Sequence, residues 1–494
     1  MEDIHESSLD ERVIELSNSP SKDSQNESLP EQVEQLNYVK ELFDKNARSP
    51  VNVSAVLVSD CHSVRPEVLQ KYMDATILQA ANFKQLYEQA DTLNLKLIQH
   101  GLAENVSQSL DSRGSLRLPM INRHYPSLIY RSQDIPTDMS IIDIISRVNI
   151  VPIKRFTAKT GTNIGNGEGD GYLQFQLRNM FGGGEQLKLD ITKGTKTHSS
   201  YLLDYGQPVT PWWMLNSLLI KNSRQVGNNN SIDLLIRGFR TNLRSNFQEK
   251  GAMNHELFYE AEWRTSKVSS LTASDTLLFQ AGDDIKCSLG HTLAIDNRDN
   301  PIAPSRGSLL KLTNELAIGQ FWKGQIEVSQ NNSWLKDDFL GSCCTLRSGY
   351  IQNLSSSRKP INTFDKFHNG GANDIRSFHI MGLGPKDLYD SIGGDAFVAY
   401  GVSFFSRLPI KRWSHSNFRL HWFFNGGKLI NHNNAPFTNI LEQLASEHST
   451  SVGFGILLRH QVARFELNFT LPLTCHSGDA LRKGFQYGIG ISFL

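Results

Sequence analysis

From about residue 152 the chain breaks into short segments in which apolar and polar side chains alternate, separated by clusters of Gly, Asn, Asp and Ser. VARFELNFTLPL sets Ala463, Phe465, Leu467, Phe469 and Leu471 on one face, with Arg464, Glu466, Asn468 and Thr470 on the other. SNFRLHWFFNGG sets Phe418, Leu420, Trp422 and Phe424 against Asn417, Arg419 and His421, and DAFVAYGVSFF alternates apolar with small residues. A period of two is the mark of β-strands. A strand that crosses a membrane takes ~9–11 residues, and at roughly 21 residues per strand and connection the ~340 residues hold about 16 of them. A soluble sandwich alternates equally well. Here, however, the apolar faces recur without a second apolar layer, and long loops on one side answer tight turns on the other. The pattern predicts an all-β transmembrane barrel of antiparallel strands over residues 152–494.

Residues 51–151 read differently. VNVSAVLV is β-branched and strand-like. RPEVLQKYMDATILQ begins a helix with Pro66 in its first turn. A second helix has Asn82 as N-cap, Gln85 three residues on and Gly101 at its close. Its apolar face is expected to be Phe83, Leu86, Tyr87, Ala90, Leu97 and Ile98. A strand through Val106 and Leu110, a polar loop over 111–139 and a strand at 140–151 complete a small α+β domain. Residues 1–50 are rich in Glu, Ser, Asn and Gln and are expected to be disordered.

Charge refines this picture. Lysine plus arginine and aspartate plus glutamate each total 50, which does not suit a nucleic-acid binder. Residues 1–50 hold 12 acidic and 5 basic residues, net −7, and the remainder is net +7. The acidic start lacks the basic and apolar regions of a secretory signal and is too acidic for a mitochondrial matrix presequence. No apolar run reaches 18 residues and mean hydropathy is −0.35, measures that are blind to transmembrane β-barrels. Cys61, Cys287, Cys343, Cys344 and Cys475 show no zinc spacing and are expected to be reduced. No phosphate loop, nucleophile elbow or HExxH is present, so neither catalytic residues, cofactor nor metal is expected.

Four stretches stand out. DNRDNPIAPSRGSLLKL carries Asp296, Arg298, Asp299, Pro304 and Gly307, with Pro and Gly setting a turn before a strand. FHNGGANDIRSFHIMGLGPKDLYDSIGGD (367–395) is a long glycine-rich loop containing Ile375, Arg376, Ser377 and Phe378. HWFFNGGKL brings Phe423, Asn425 and Gly427. The sequence ends on QYGIGISFL, where Phe485, Tyr487, Ile489, Ile491 and Phe493 form a bulky face and Gln486, Gly488, Gly490 and Ser492 a small one.

The first three of these stretches resemble the BamA superfamily of outer-membrane protein insertases, and the last, with Gln486, Gly488, Ile491 and Phe493, resembles the sorting signal that ends mitochondrial outer-membrane barrels. FTAKTGTNIGN, GGDAFVAYG and RFELNFTLPL are similar to the core-barrel family of the fungal mitochondrial sorting and assembly machinery. The resemblance implies that residues 51–151 form a polypeptide-transport-associated (POTRA) domain facing the intermembrane space. It implies that the loop folds into the lumen, where Arg376 meets a wall motif of the form aromatic-x-Asp-x-Gly. Asn425 stands at the Asp position, so an ion pair is expected to become an Arg–amide hydrogen bond of roughly half the strength. Ser377 stands where the motif has glycine, which matters if that position needs positive φ.

The resemblance further implies a lateral gate in the mitochondrial outer membrane. Its first strand would carry Phe156, Ala158, Thr160, Gly161, Thr162 and Ile164, and its last Gln486, Gly488, Gly490, Ile491 and Phe493. Both sides are poor in packing side chains, so the seam is expected to open and pair with a client's final strand. The implied partners are β-barrel precursors (the import-pore barrel, porin and the morphology barrel), peripheral machinery subunits on the cytosolic face and the lipid bilayer, with no nucleic acid. A passive solute channel and a protein-translocating barrel remain as alternatives.

Overall fold

The structure is a computed structural model. It describes residues 41, 43–59, 61–112, 127–131, 141–165, 168–226, 232–247, 251–270, 273–334, 339–355, 360–409, 416–432, 435–460, 463–490 and 493–494. The chain divides into two units, residues 1–153 and 154–494.

The first unit holds strands β1 (Val51–Ser59), β2 (Asn105–Ser112), β3 (Ser127–Arg131) and β4 (Ile142–Val151) in the order β2-β4-β1-β3, with helices Pro66–Asp74 and Phe83–Gln99. Asn82 caps the second helix by accepting the Gln85 N–H at 2.9 Å. That helix buries Leu86, Ala90, Leu93 and Leu97, whereas Tyr87 and Ile98 are exposed. The buried stripe is therefore narrower than the expected face and includes Leu93. A strand also lies within the expected loop 111–139: β3 pairs antiparallel with β1, with Leu57 opposite Leu128.

The second unit is a single antiparallel sheet of 16 strands. Its strands are β5 (Phe156–Gly165), β6 (Glu168–Arg178), β7 (Gln186–Gly194), β8 (Thr197–Thr210), β9 (Trp213–Val226), β10 (Ile232–Ser245), β11 (Met253–Val268) and β12 (Gly282–Asp296). They continue through β13 (Gly307–Ala317), β14 (Phe321–Ser333) and β15 (Leu340–Asn353). After a long loop carrying the two-residue strands β16 (Lys386–Asp387) and β17 (Asp390–Ser391) come β18 (Ala396–Arg407), β19 (Phe418–Ile430), β20 (Ser449–Arg459), β21 (Arg464–Thr474) and β22 (Gly484–Gly490). Each strand pairs with its neighbour in sequence, β15 joining β18 across the loop. The sheet edges are β5 and β22, and among the described residues no ladder joins them.

The alternation is inside out. On β21, Glu466, Asn468 and Thr470 are 3%, 2% and 0% exposed, while Phe465, Leu467 and Leu471 are 37%, 53% and 45% exposed. Exposed apolar area costs about 25 cal/mol per Å² in water, so a face of this kind requires an apolar surrounding. No described helix is long and apolar enough to cross a membrane. The inner side is filled where the loop 354–395 enters: Phe321, Ile351, Phe367, Ile375, Phe378, Leu383, Phe397, Leu429 and Leu494 form one buried cluster.

Candidate functional site

The loop tip sits against the last strands. Arg376 is fully buried. Its Nε and Nη2 donate to Glu466 Oε2 at 3.2 and 2.9 Å, and its Nη1 donates to the Leu494 carbonyl at 3.0 Å. The guanidinium lies 4.7 Å from the Phe423 ring centre and 5.8 Å from that of Phe493. Glu466 also pairs with Arg464 and accepts from Asn468 Nδ2 at 2.8 Å. A buried guanidinium needs this many partners, since an unpaired charge in low dielectric is costly.

The expected Arg376–Asn425 bond is therefore corrected: the counter-charge is Glu466 on β21. Asn425 instead donates to the Asp374 carbonyl at 3.2 Å and accepts from Ser451 Oγ at 2.7 Å. An amide serves there because the loop presents a backbone carbonyl rather than the guanidinium. Gly427 touches the loop as well, since a Cβ there would lie 2.7 Å from Ile375 Cδ1.

Ser377 has φ 71°, the left-handed region that favours glycine. Its N–H donates to Gln486 Oε1 at 3.0 Å, its carbonyl accepts from Arg482 N at 2.8 Å, and its own buried hydroxyl has no hydrogen-bond partner. Phe378 is buried and its backbone forms a bridge with Leu481.

The small face of β22 is occupied by the loop. Asn373 Nδ2 donates to the Ile489 carbonyl at 3.0 Å, and the Asn373 carbonyl accepts from Leu494 N at 3.2 Å. A Cβ on Gly488 would fall 2.7 Å from Asn373 Oδ1, and one on Gly490 2.9 Å from Asn373 Nδ2. Both glycines thus make room for one asparagine. Asp374 pairs with Arg347 and accepts the Gly370 N–H at 2.6 Å, holding this turn to β15.

Phe485, Tyr487 and Ile489 are exposed on the outer face. Phe493, expected to continue that face, does not: β22 ends at Gly490 and Phe493 lies 4.7 Å from the Arg464 guanidinium. Two inward arginines and the buried seat of Leu494 beside Gly401 outweigh strand continuation. Ile491 lies outside the described residues.

On the other edge, Phe156, Ala158, Thr160 and Thr162 are exposed and Ile164 is paired opposite Gly169. Phe156 stacks on Phe175 at 6.4 Å. Gly161 accommodates the Tyr172 hydroxyl, to which a Cβ would approach within 2.7 Å. In the hairpin, Asp296 forks Arg298 at 2.9 and 2.8 Å, and Asp299 Oδ1 accepts the N–H groups of Asn300, Ser305 and Arg306. Gly307 supplies φ 104°, and Pro304 precedes it in the turn. No sequence motif marks Glu466, Asn373 or Asp374 as site residues. The one available signal is that Glu466 is the only acid on the polar face of its strand.

Residues 179–493 match the Omp85 superfamily domain. The sorting assembly machinery 50 kDa subunit of Saccharomyces cerevisiae is 42% identical over 474 residues, covering 91% of this chain and 96% of the relative. The SAM50-like protein of Schizosaccharomyces pombe is 30% identical, covering 92% and 94%. The human sorting and assembly machinery component 50 homolog is 30% identical, covering 70% and 74%. In fold the chain is similar to BamA from Haemophilus ducreyi lacking POTRA domains 1–3, with TM-score 0.66, 14% identity and coverage of 89% and 84%. The inverted 16-stranded sheet with its inward loop and these matches agree: the chain belongs to the Omp85 superfamily, in the family of the sorting and assembly machinery 50 kDa subunit.

Proposed function

We propose that this chain folds β-barrel precursors and inserts them into the mitochondrial outer membrane by strand exchange between β5 and β22. The carrying observation is that the inner face of β22 is held by the loop, through Asn373 and Ser377, while β22 remains a sheet edge. A strand held this way can change its edge partner without losing its lumenal contacts. A client's final strand pairs with the edge strand β5 by β-augmentation. Unpaired backbone is prohibitive in hydrocarbon, so the exchange proceeds bond for bond. Burial of the client's apolar face supplies the free energy, and the chain performs no covalent step. Under this reading residues 51–151 are a POTRA domain in the intermembrane space, and peripheral machinery subunits sit on the cytosolic face.

The test is reconstitution of the full chain in liposomes with an unfolded barrel precursor. Protease-resistant, heat-modifiable client forming faster than in empty liposomes supports the proposal. Solute flux without client folding would turn the reading to a passive channel.

A further inference from the structure

The loop has a second anchor, eleven residues before Arg376 and on different strands. Asp365 is buried, and Arg264 on β11 grips it with both terminal nitrogens, Nη1 to Oδ1 at 2.9 Å and Nη2 to Oδ2 at 3.0 Å. Arg264 is itself buried and also pairs with Asp284 on β12 at 2.8 Å. Lys286 lies 3.6 Å from Asp365 Oδ1, and Lys323 on β14 donates to the Asp365 carbonyl at 2.7 Å. One loop residue is thereby fixed to three wall strands. A fork-to-fork guanidinium–carboxylate pair is directional, so it sets where the loop begins as well as how tightly it is held.

The two anchors differ in what they depend on. Several partners of the Arg376 end lie on or beyond β22: Gln486, the Ile489 carbonyl and Leu494. Asp365 touches β11, β12 and β14 and, among the described residues, forms no hydrogen bond or ion pair with β21 or β22. We infer that the Arg264–Asp365 pair is a positioning clamp that keeps the loop seated in the lumen while β22 changes partner. This rests on the strand-exchange reading. Displacing β22 releases part of one anchor, and the other must then hold the loop against the wall for Arg376 to recapture Glu466 and Leu494. Neither Arg264 nor Asp365 touches the client in this account; both act through the loop.

The experiment uses the full-length chain in liposomes, with Asp365→Asn, Asp365→Arg, Arg264→Asp and the reciprocal double swap. Two quantities are read on each. One is oxidation of an Asn373→Cys/Gly488→Cys pair, whose side chains meet on the inner face, in the resting protein, in a background without native cysteines. The other is crosslinking of an arrested client's last strand to residues 156–164. The clamp predicts that Asp365→Asn leaves the resting pair intact but lowers client crosslinks about tenfold, with the swap restoring them to within about twofold. Single variants that capture clients like the parent overturn the clamp and leave strand exchange standing. A swap that fails to restore capture overturns the ion pair as the positioning element. If the parent itself gives no seam crosslinks, strand exchange and the clamp fall together.

Discussion

Arg376 and Glu466, 90 residues apart in sequence, meet as a fully buried pair between the loop and the strand next to the last. Removing one charge strands the other. Glu466→Gln is expected to destabilise the barrel by about 3–5 kcal/mol, as for other broken buried pairs. Arg376→Lys keeps the charge but loses the fork that reaches Glu466 and Leu494 together, and is expected to be nearly as damaging. Both are measured as the temperature at which heat-modifiable mobility is lost. Either variant matching the parent would show that the pair is not needed.

Ser377 offers the opposite sign. Its φ of 71° and unpartnered buried hydroxyl both favour glycine. Ser377→Gly is expected to stabilise by about 1 kcal/mol, net of the entropy glycine gains in the unfolded chain. Thermal loss of the folded band should move upward, and a downward shift would mean that the hydroxyl has a use at this site.

Gly488 and Asn373 should be coupled. A methyl group at Gly488 pushes the Asn373 carboxamide off the Ile489 carbonyl, a loss of about 1 kcal/mol for one hydrogen bond. In an Asn373→Ala background Gly488→Ala should cost nothing further. A double-mutant cycle in stability reads the coupling, and strict additivity would refute the contact.

The barrel was legible because its alternation is strict and its apolar side faces outward, so period and polarity carry the same message. The Arg376 loop was legible from its glycines and its motif. Its partners were not, since no local pattern ties residue 376 to 466 or residue 373 to 489. Alternation alone puts Phe493 on the outer face, whereas it lies against the Arg376 and Arg464 guanidinium groups. The five-residue strand SLIYR was lost inside a polar loop because a segment that short shows little periodicity. The helix face was drawn too wide because Tyr87 lies against Phe43 rather than in the main core.

The first unit carries a pH sensor of its own stability. The Tyr72 hydroxyl and His100 Nδ1 share a hydrogen bond within the buried core, and burial pushes the tyrosine up so that it stays protonated. Burial, and then the Lys96 charge, push His100 down to about 4. The unfolded chain, with an ordinary histidine near 6.5, therefore binds the proton first. Stability is full above about pH 6.5 and is lost as pH falls towards 4, by about 3 kcal/mol in all. Amide exchange in Phe83–Gln99, corrected for intrinsic rates, should show protection falling over that window in the full chain. His100→Gln should flatten the fall, and an unchanged slope would assign it elsewhere.

The most direct test of the central claim is disulfide trapping at the seam. Single cysteines along residues 156–164, with Cys61, Cys287, Cys343, Cys344 and Cys475 replaced, are offered a client arrested with a cysteine in its last strand. Strand exchange predicts crosslinks in a single register, lost when the glycine or the final apolar residue of the client's last strand is changed. Residues 156–164 that stay locked to 484–490 while clients still fold would contradict it.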